Sequence, residues 1–263
     1  MPTNDDRPPE EAEPGSRDRE ILRWLYTPYS LGVVWPWLAG SSVGLGALAV
    51  AMTKISPRLA FHVGTAWAWL MCRVNWNRVR VHGRDNADPS RSYVIMMNHQ
   101  SQFDILAFYG HYGKQFRWVM KEELRKVPGI GWYTAAGGHV FIDRSDRAKA
   151  IASLQAARPL LDGGISVVFF PEGTRSRTGR MRPFKKGGFM MALQMDLPIL
   201  PVSISGSRHV LPAGGFRSLP GPIDITIHPP IDTSTYSEET VETLMADTRA
   251  VIASGLTPWE RDD

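Results

Sequence analysis

The chain has 263 residues, of which 43% are hydrophobic, enough for one α/β domain with a sizeable core. Its one cysteine, Cys72, excludes an intramolecular disulfide and a cysteine-based zinc cluster. The net charge of +4 hides an asymmetry, because residues 21–231 hold 25 bases and 11 acids. Such a basic region predicts an anionic partner, either a phosphorylated substrate or anionic lipid headgroups. Nucleic acid is disfavoured as a partner, because no recognition motif is present.

The N-terminal part of the chain changes from polar to apolar. Residues 1–20 hold seven acids and three bases, which predicts a disordered tail and no signal peptide. Residues 21–76 include an uncharged run from Trp24 to Thr53, which Pro28 and Pro36 are expected to break. Six of the nine tryptophans lie in this segment, as is typical of rings at headgroup depth. The segment predicts a two-helix membrane-associating motif, which either dips into one leaflet of the bilayer or spans it. The alternative is a buried helical hairpin in a soluble core.

Residues 77–255 alternate between strand and helix patterns, and 256–263 form a short tail. The final helix is expected to be capped by Ser237 and to end near Gly255, after helices at Arg147–Leu161 and Gly188–Met195. The predicted fold is α/β, with a mixed, mostly parallel sheet flanked by helices. Its predicted strands are Val79–His82, Tyr93–Met97, Phe116–Met120, His139–Ile142, Ile165–Phe170, Ile199–Ile204 and Ile223–His228.

The strand at 93–97 ends at His99, and Asp104 follows five positions later. Strand ends are where α/β sheets place their sites, and a carboxylate can hold an imidazole in one tautomer. On one continuous helix the two side chains would diverge, so they can meet only across a turn. In the alternative, Asp104 and Ser101 form a helix capping box and His99 is a loop residue. Because no protein nucleophile accompanies the pair, a substrate hydroxyl would attack, with His99 as general base.

A polar loop follows the strand at 165–170 and carries Glu172, Gly173, Thr174 and Arg175. Six bases lie between Arg175 and Lys186, which favours an anion-binding site over an ordinary surface loop. The seven histidines show no paired ligand spacing, so no metal site is predicted.

Four motifs give the chain a resemblance to a known family. They are Asn98-His99 with Asp104, then Phe141-Ile142-Asp143-Arg144, then Phe170 to Ser176, and then Leu197 to Val202. With these four motifs in this order, the sequence resembles the glycerolipid acyltransferases typified by 1-acylglycerol-3-phosphate acyltransferase (lysophosphatidic acid acyltransferase). The resemblance covers roughly residues 75–210. The strand, helix and acidic tail after the fourth motif are not explained by the resemblance.

The resemblance implies a role for each matching residue. His99 would be the base and Asp104 its orienting partner, while Pro201 would shape the acyl or donor side. The glycerol phosphate would be bound by Arg144, Glu172, Gly173, Thr174 and Arg175, with Lys121 as a further candidate. No cofactor is implied, because acyl-CoA or acyl carrier protein would be a co-substrate.

The implied reaction is acyl transfer to a lysophospholipid acceptor, 1-acylglycerol-3-phosphate, which forms phosphatidic acid in phospholipid biosynthesis. It would take place at the cytoplasmic face of the inner (cell) membrane. Three alternatives remain: another lysolipid acceptor, a CoA-independent transacylase that uses a phospholipid donor, and a non-catalytic lipid-binding protein.

Overall fold

The computed structural model describes residues 16–143, 158–161 and 163–261. Arg144, a predicted site residue, lies outside these ranges. The helix predicted at Arg147–Leu161 is described only over Arg158–Leu161, which form a short helical turn.

The sheet has the predicted mixed, mostly parallel character. In the described part of the chain its seven strands lie in the order β1-β7-β6-β2-β5-β3-β4, and each end lies within one residue of its predicted position. Only the β6–β7 pair in this sheet is antiparallel. The strands are β1 (Arg78–His82), β2 (Val94–Met97), β3 (Phe116–Lys121), β4 (Val140–Ile142), β5 (Ser166–Phe169), β6 (Ile199–Ser205) and β7 (Pro222–Ile227).

Strand β2 is the centre of the sheet, between β5 and β6. Its four residues are fully buried, as expected of a parallel strand covered on both faces. Because β2, β3, β5 and β6 run in the same direction, their carboxyl ends meet at one edge. This edge therefore collects the loops that carry the polar motifs.

Eight α-helices are present among the described residues. The last of them begins at Val241, not after Ser237 as predicted, because Ser237 and Thr240 bond to each other in a turn that precedes the helix. The helices are α1 (Ser16–Tyr29), α2 (Trp35–Thr53), α3 (Pro57–Val74), α4 (Phe103–His111), α5 (Ile130–Ala136), α6 (Gly187–Met195), α7 (Ser207–Val210) and α8 (Val241–Ser254).

The predicted breaks at Pro28 and Pro36 are wrong. A π-helical turn, Ser30–Val34, joins α1 to α2, and the N–H of Trp35 bonds to the carbonyl of Ser30 five residues back. The wider turn lets the helix continue between two prolines that each lack a donor. Within the described residues, the stretch from residue 18 to residue 53 is long and apolar enough to cross a membrane.

Both termini depart from the predicted domain boundaries. Helix α1 begins at Ser16, so the last five residues of the predicted tail, 16–20, are helical, and residues 1–15 lie outside the described ranges. At the other end, Glu260 is buried, so part of the predicted C-terminal tail is packed against the domain.

Two hydrophobic cores cover the two faces of the sheet. One lies between the sheet and helices α2, α3 and α4, and includes the aromatic side chains of Phe61, Phe108 and Phe116. The other lies between the sheet and helices α6 and α8. The N-terminal helices therefore pack directly on the α/β domain, beside the edge that carries the motifs.

Candidate functional site

The turn after β2 brings His99 and Asp104 together. The side chain of Asn98 first extends the strand, because its amide donates to the carbonyl of Ile204 and accepts from the N–H of Ile204, both at 2.8 Å. The next residue places Nδ1 of His99 2.8 Å from Oδ2 of Asp104. The carboxylate is completely buried and the ring nearly so.

The same carboxylate also serves the backbone. Oδ2 of Asp104 accepts the N–H groups of Gln100 at 2.7 Å and Ser101 at 2.8 Å. Only half of the predicted capping box is therefore present, because the hydroxyl of Ser101 accepts the N–H of Phe103 and not that of Asp104. Because a carboxylate can only accept, Nδ1 of His99 carries the hydrogen, which leaves Nε2 unprotonated in the neutral ring.

Phe170 fixes the plane of the imidazole, a role that the sequence did not predict. Its ring stacks on that of His99 with centroids 3.8 Å apart and planes 17° apart. The ring of Phe170 also stacks on that of Trp118, with centroids 5.8 Å apart. A signal was present in the sequence, because Phe170 opens the third motif at the end of a strand predicted to lie in the same sheet.

Glu172, a predicted substrate-binding residue, is buried and bonded to the backbone. Its side chain is 1% exposed. Oε1 accepts the N–H of His99 at 2.7 Å, and Oε2 accepts the N–H of Arg182 at 2.9 Å. Burial raises the pKa of Glu172 to about 8, although these two N–H groups act to lower it. Both oxygens are thus occupied by backbone donors, and Glu172 holds the His99 turn against its own loop.

The loop after Glu172 reaches the dyad through its backbone. The N–H of Ser176 donates to the carbonyl of His99 at 2.8 Å. Gly173 has a φ of +74°, which favours glycine, and its N–H donates to the carbonyl of Phe170 at 2.9 Å. Thr174 is exposed and Arg175 is half-buried. The structure therefore brings these predicted residues to the edge of the sheet that carries His99.

Lys121 lies at the same edge, whereas Pro201 lies within the sheet. Lys121 ends β3, in register with Ile142 of the second motif, and its Nζ lies 2.8 Å from Oε1 of Glu123. Pro201 is buried in the middle of β6, opposite Met96 of β2. Because side chains alternate along a strand, Pro201 faces away from the core between the sheet and α2 to α4, the core to which its neighbours Leu200 and Val202 belong.

An apolar cavity of about 280 Å³ lies between the N-terminal helices and the domain. Gln102 and Phe103, the residues just before Asp104, line it on the side of the dyad. Sequence analysis missed this cavity, although the small residues of α2 were a possible signal. Residues of four α-helices, α2 to α5, contribute to its wall, among them Leu38, Leu45, Val63, Trp67, Tyr109 and Tyr133.

Comparison with known proteins identifies the family in which the four motifs and this fold occur together. A family model described as Acyltransferase matches residues 78–205, which contain all four motifs. The crystal structure of PlsC from Thermotoga maritima, a 1-acyl-sn-glycerophosphate (LPA) acyltransferase, is similar at a TM-score of 0.76 with 30% identity. The similarity covers 90% of this chain and 95% of that one. The chain belongs to this acyltransferase family.

Curated relatives point to the same acyltransferase family. A 1-acyl-sn-glycerol-3-phosphate acyltransferase of Chlamydomonas reinhardtii is 34% identical over 81% of this chain. The 1-acyl-sn-glycerol-3-phosphate acyltransferase alpha of Homo sapiens is 33% identical over 64% of this chain. The matches cover only 63% and 59% of the lengths of these relatives. The resemblance inferred from the four motifs is therefore confirmed at the level of the family.

Proposed function

We propose that this acyltransferase moves a fatty acyl chain from a thioester donor, acyl-CoA or acyl carrier protein, to the free hydroxyl of 1-acylglycerol-3-phosphate, which yields phosphatidic acid. The observation that carries the proposal is the His99–Asp104 pair at 2.8 Å, set beside both a basic loop and an apolar cavity. An acceptor with a phosphate at one end and a hydrocarbon chain at the other matches both surroundings. The names of the relatives above support the same acceptor.

The chemistry follows from the unprotonated Nε2 of His99. Arg175, with Arg144 and Lys121 as further candidates, binds the acceptor phosphate and so fixes the hydroxyl beside the ring. Nε2 takes the hydroxyl proton as the oxygen attacks the thioester carbonyl carbon. The tetrahedral intermediate then collapses, the carbon–sulfur bond breaks, and the imidazolium returns the proton to the leaving thiolate. Asp104 stabilises the imidazolium that forms between these two steps.

The cavity supplies room for an acyl chain. Its wall is almost wholly apolar, and its contact with Gln102 and Phe103 puts one end of a bound chain near the dyad. A hydrocarbon chain placed there leaves water, which favours binding by about 0.8 kcal/mol for each buried CH₂ group. This acyl subsite would give the enzyme a preference for donors of limited chain length.

The N-terminal helices fit a membrane surface. Trp24 and Leu25 on α1 and Trp37 on α2 are exposed apolar side chains, and Trp69 on α3 is another. Within the stretch from residue 18 to residue 53, only 22% of the apolar 18-residue window that could cross a membrane is buried. Lipid substrates would then reach the cavity from the bilayer, on the cytoplasmic face of the cell membrane.

The test is an acyl-transfer assay of the purified protein, with both donor types and a panel of lyso-acceptors. We expect transfer to 1-acylglycerol-3-phosphate at a higher kcat/KM than to acceptors without a phosphomonoester. A preference for a lyso-acceptor that lacks this group would contradict the proposed acceptor. A labelled phospholipid donor, supplied without acyl-CoA or acyl carrier protein, tests the transacylase alternative.

A further inference from the structure

A short C-terminal segment, Thr257–Glu260, lies beyond the part of the chain that the family model matches. It follows α8 and is anchored by the side chain of Glu260, which is 3% exposed. Oε1 of Glu260 accepts the N–H of Gly206 at 2.9 Å, and Oε2 accepts the hydroxyl of Ser205. Oε2 also accepts the N–H and the hydroxyl of Thr257, at 3.1 and 2.9 Å. The buried carboxylate thus ties the segment to the end of β6.

The main chain of the same residue holds another loop. The carbonyl of Glu260 accepts the N–H of Met181 at 3.0 Å. Beside it, the guanidinium of Arg180 lies 5.4 Å from the centre of the Trp259 ring. Arg249 on α8 adds two bonds to the same stretch, from its guanidinium to the carbonyls of Met181 and Arg182, at 3.0 and 2.6 Å.

The loop held in this way, Ser176–Arg182, is called the arginine loop here because it carries Arg177, Arg180 and Arg182 directly after Arg175. Its other side contacts the catalytic turn. Besides the bond from Ser176 to His99 already described, the amide of Gln100 donates to the carbonyl of Gly179 at 2.7 Å, and the N–H of Arg182 donates to Glu172. The arginine loop therefore lies between the dyad and the C-terminal segment, and is bonded to both.

From this geometry we propose that Glu260 is a positioning residue for acceptor binding. Its side chain is fixed to the sheet, and its carbonyl holds the arginine loop against the turn that carries His99. The inference rests on the function proposed above, and it gives a role to the C-terminal strand, helix and tail that the family motifs do not explain. The displacement of a positioning group by about an ångström is enough to weaken a catalytic arrangement.

Glu260→Gln tests the proposal with little change in shape. The new amide nitrogen is a donor that faces the donors of Ser205 and Thr257, or that of Gly206, so the anchor is weakened. We expect the KM for 1-acylglycerol-3-phosphate to rise about tenfold, equivalent to about 1.4 kcal/mol, with the KM for the thioester donor unchanged. Faster hydrogen exchange at the amides of Met181 and Gly206 should accompany this rise. The matched control is Glu239→Gln, at an exposed glutamate near the start of α8, which should change neither quantity.

Two results would overturn the positioning role. One is an acceptor KM equal to that of the wild type, and the other is an equal loss for acceptor and donor, which would mean that Glu260 only stabilises the fold. If Glu260→Gln does not fold, Thr257→Val removes a single bond to the carboxylate and should give a smaller rise in the same acceptor KM. Failure of the proposed function is distinguishable, because the wild type would then not acylate the acceptor, whereas exchange at Met181 would still report whether Glu260 holds the loop.

Discussion

The edge of the sheet and the N-terminal helices build their parts of the site in different ways. At the edge, buried carboxyl groups accept backbone N–H groups, as Asp104 does from Gln100 and Ser101 and as Glu172 does from His99 and Arg182. Between the helices, small residues allow close backbone approach and leave an apolar space. The edge fixes the positions of individual atoms, whereas the helices define a volume. We therefore expect a substitution at the edge to change chemistry or its pH dependence, and one among the helices to change packing.

The largest expected effect of breaking the edge is that of His99→Ala. General base assistance contributes about 10²–10⁴-fold, so kcat/KM for acyl transfer should fall by at least about 100-fold. The ring stacks on Phe170 but is not part of a large core, so the protein should still fold. Steady-state kinetics together with thermal unfolding measure both quantities. A folded variant with wild-type activity would exclude His99 as the base.

The strands and the His99–Asp104 pair could be predicted because each is visible in a short stretch of sequence. Buried parallel strands are continuous apolar runs, and His99 and Asp104 are only five positions apart. The interactions that it missed join residues far apart in the chain, such as Glu172 with His99 and Glu260 with Gly206. A composition pattern does not state which distant backbone group will meet a buried carboxylate. The role of Glu172 in binding was inferred from its motif, whereas its burial became visible only in three dimensions.

A second test of the edge measures how the contribution of Glu172 to the free energy of unfolding depends on pH. Burial raises its pKa from an ordinary value of 4.5 to about 8, so between these values the folded protein keeps a proton that the unfolded chain has lost. The stability from this group is fully present below pH 4.5 and is lost as the pH rises through about 8. The slope cannot exceed about 1.4 kcal/mol for each pH unit.

Glu172→Gln should remove this slope. The variant is expected to be less stable than the wild type at acidic pH, because its amide nitrogen faces a backbone N–H, and the two stability curves should converge towards pH 8. Urea unfolding across that range measures the difference. Glu239→Gln, at an exposed carboxyl, should keep the wild-type slope. Parallel curves for the wild type and Glu172→Gln would show that Glu172 keeps its charge when buried.

The smallest expected effects separate packing from helix propensity along α2. At Gly46, an added Cβ would lie 2.7 Å from the carbonyl oxygen of Gly129, which belongs to the backbone and cannot rotate away. Gly46→Ala should therefore push α2 away from the start of α5 and destabilise the protein by about 1–3 kcal/mol. At Gly40, on the same helix, an added Cβ meets nothing within 4 Å. Gly40→Ala should stabilise the protein by about 0.5–1 kcal/mol, because alanine loses less backbone entropy in a helix.

Thermal unfolding of the two variants and the wild type, all in one detergent, measures the change in stability caused by each substitution. We expect the two changes to have opposite signs. Equal destabilisation by both would mean that α2 needs flexible glycines and not the close contact at Gly46. Equal stabilisation would mean that α2 does not rest against Gly129, and the cavity wall would then be absent where Gly46 lines it. Stability changes of opposite sign would mean that the acyl cavity depends on the backbone contact between Gly46 of α2 and Gly129. Substitutions in the N-terminal helices should then change the volume available to the acyl chain and leave the His99–Asp104 pair in place.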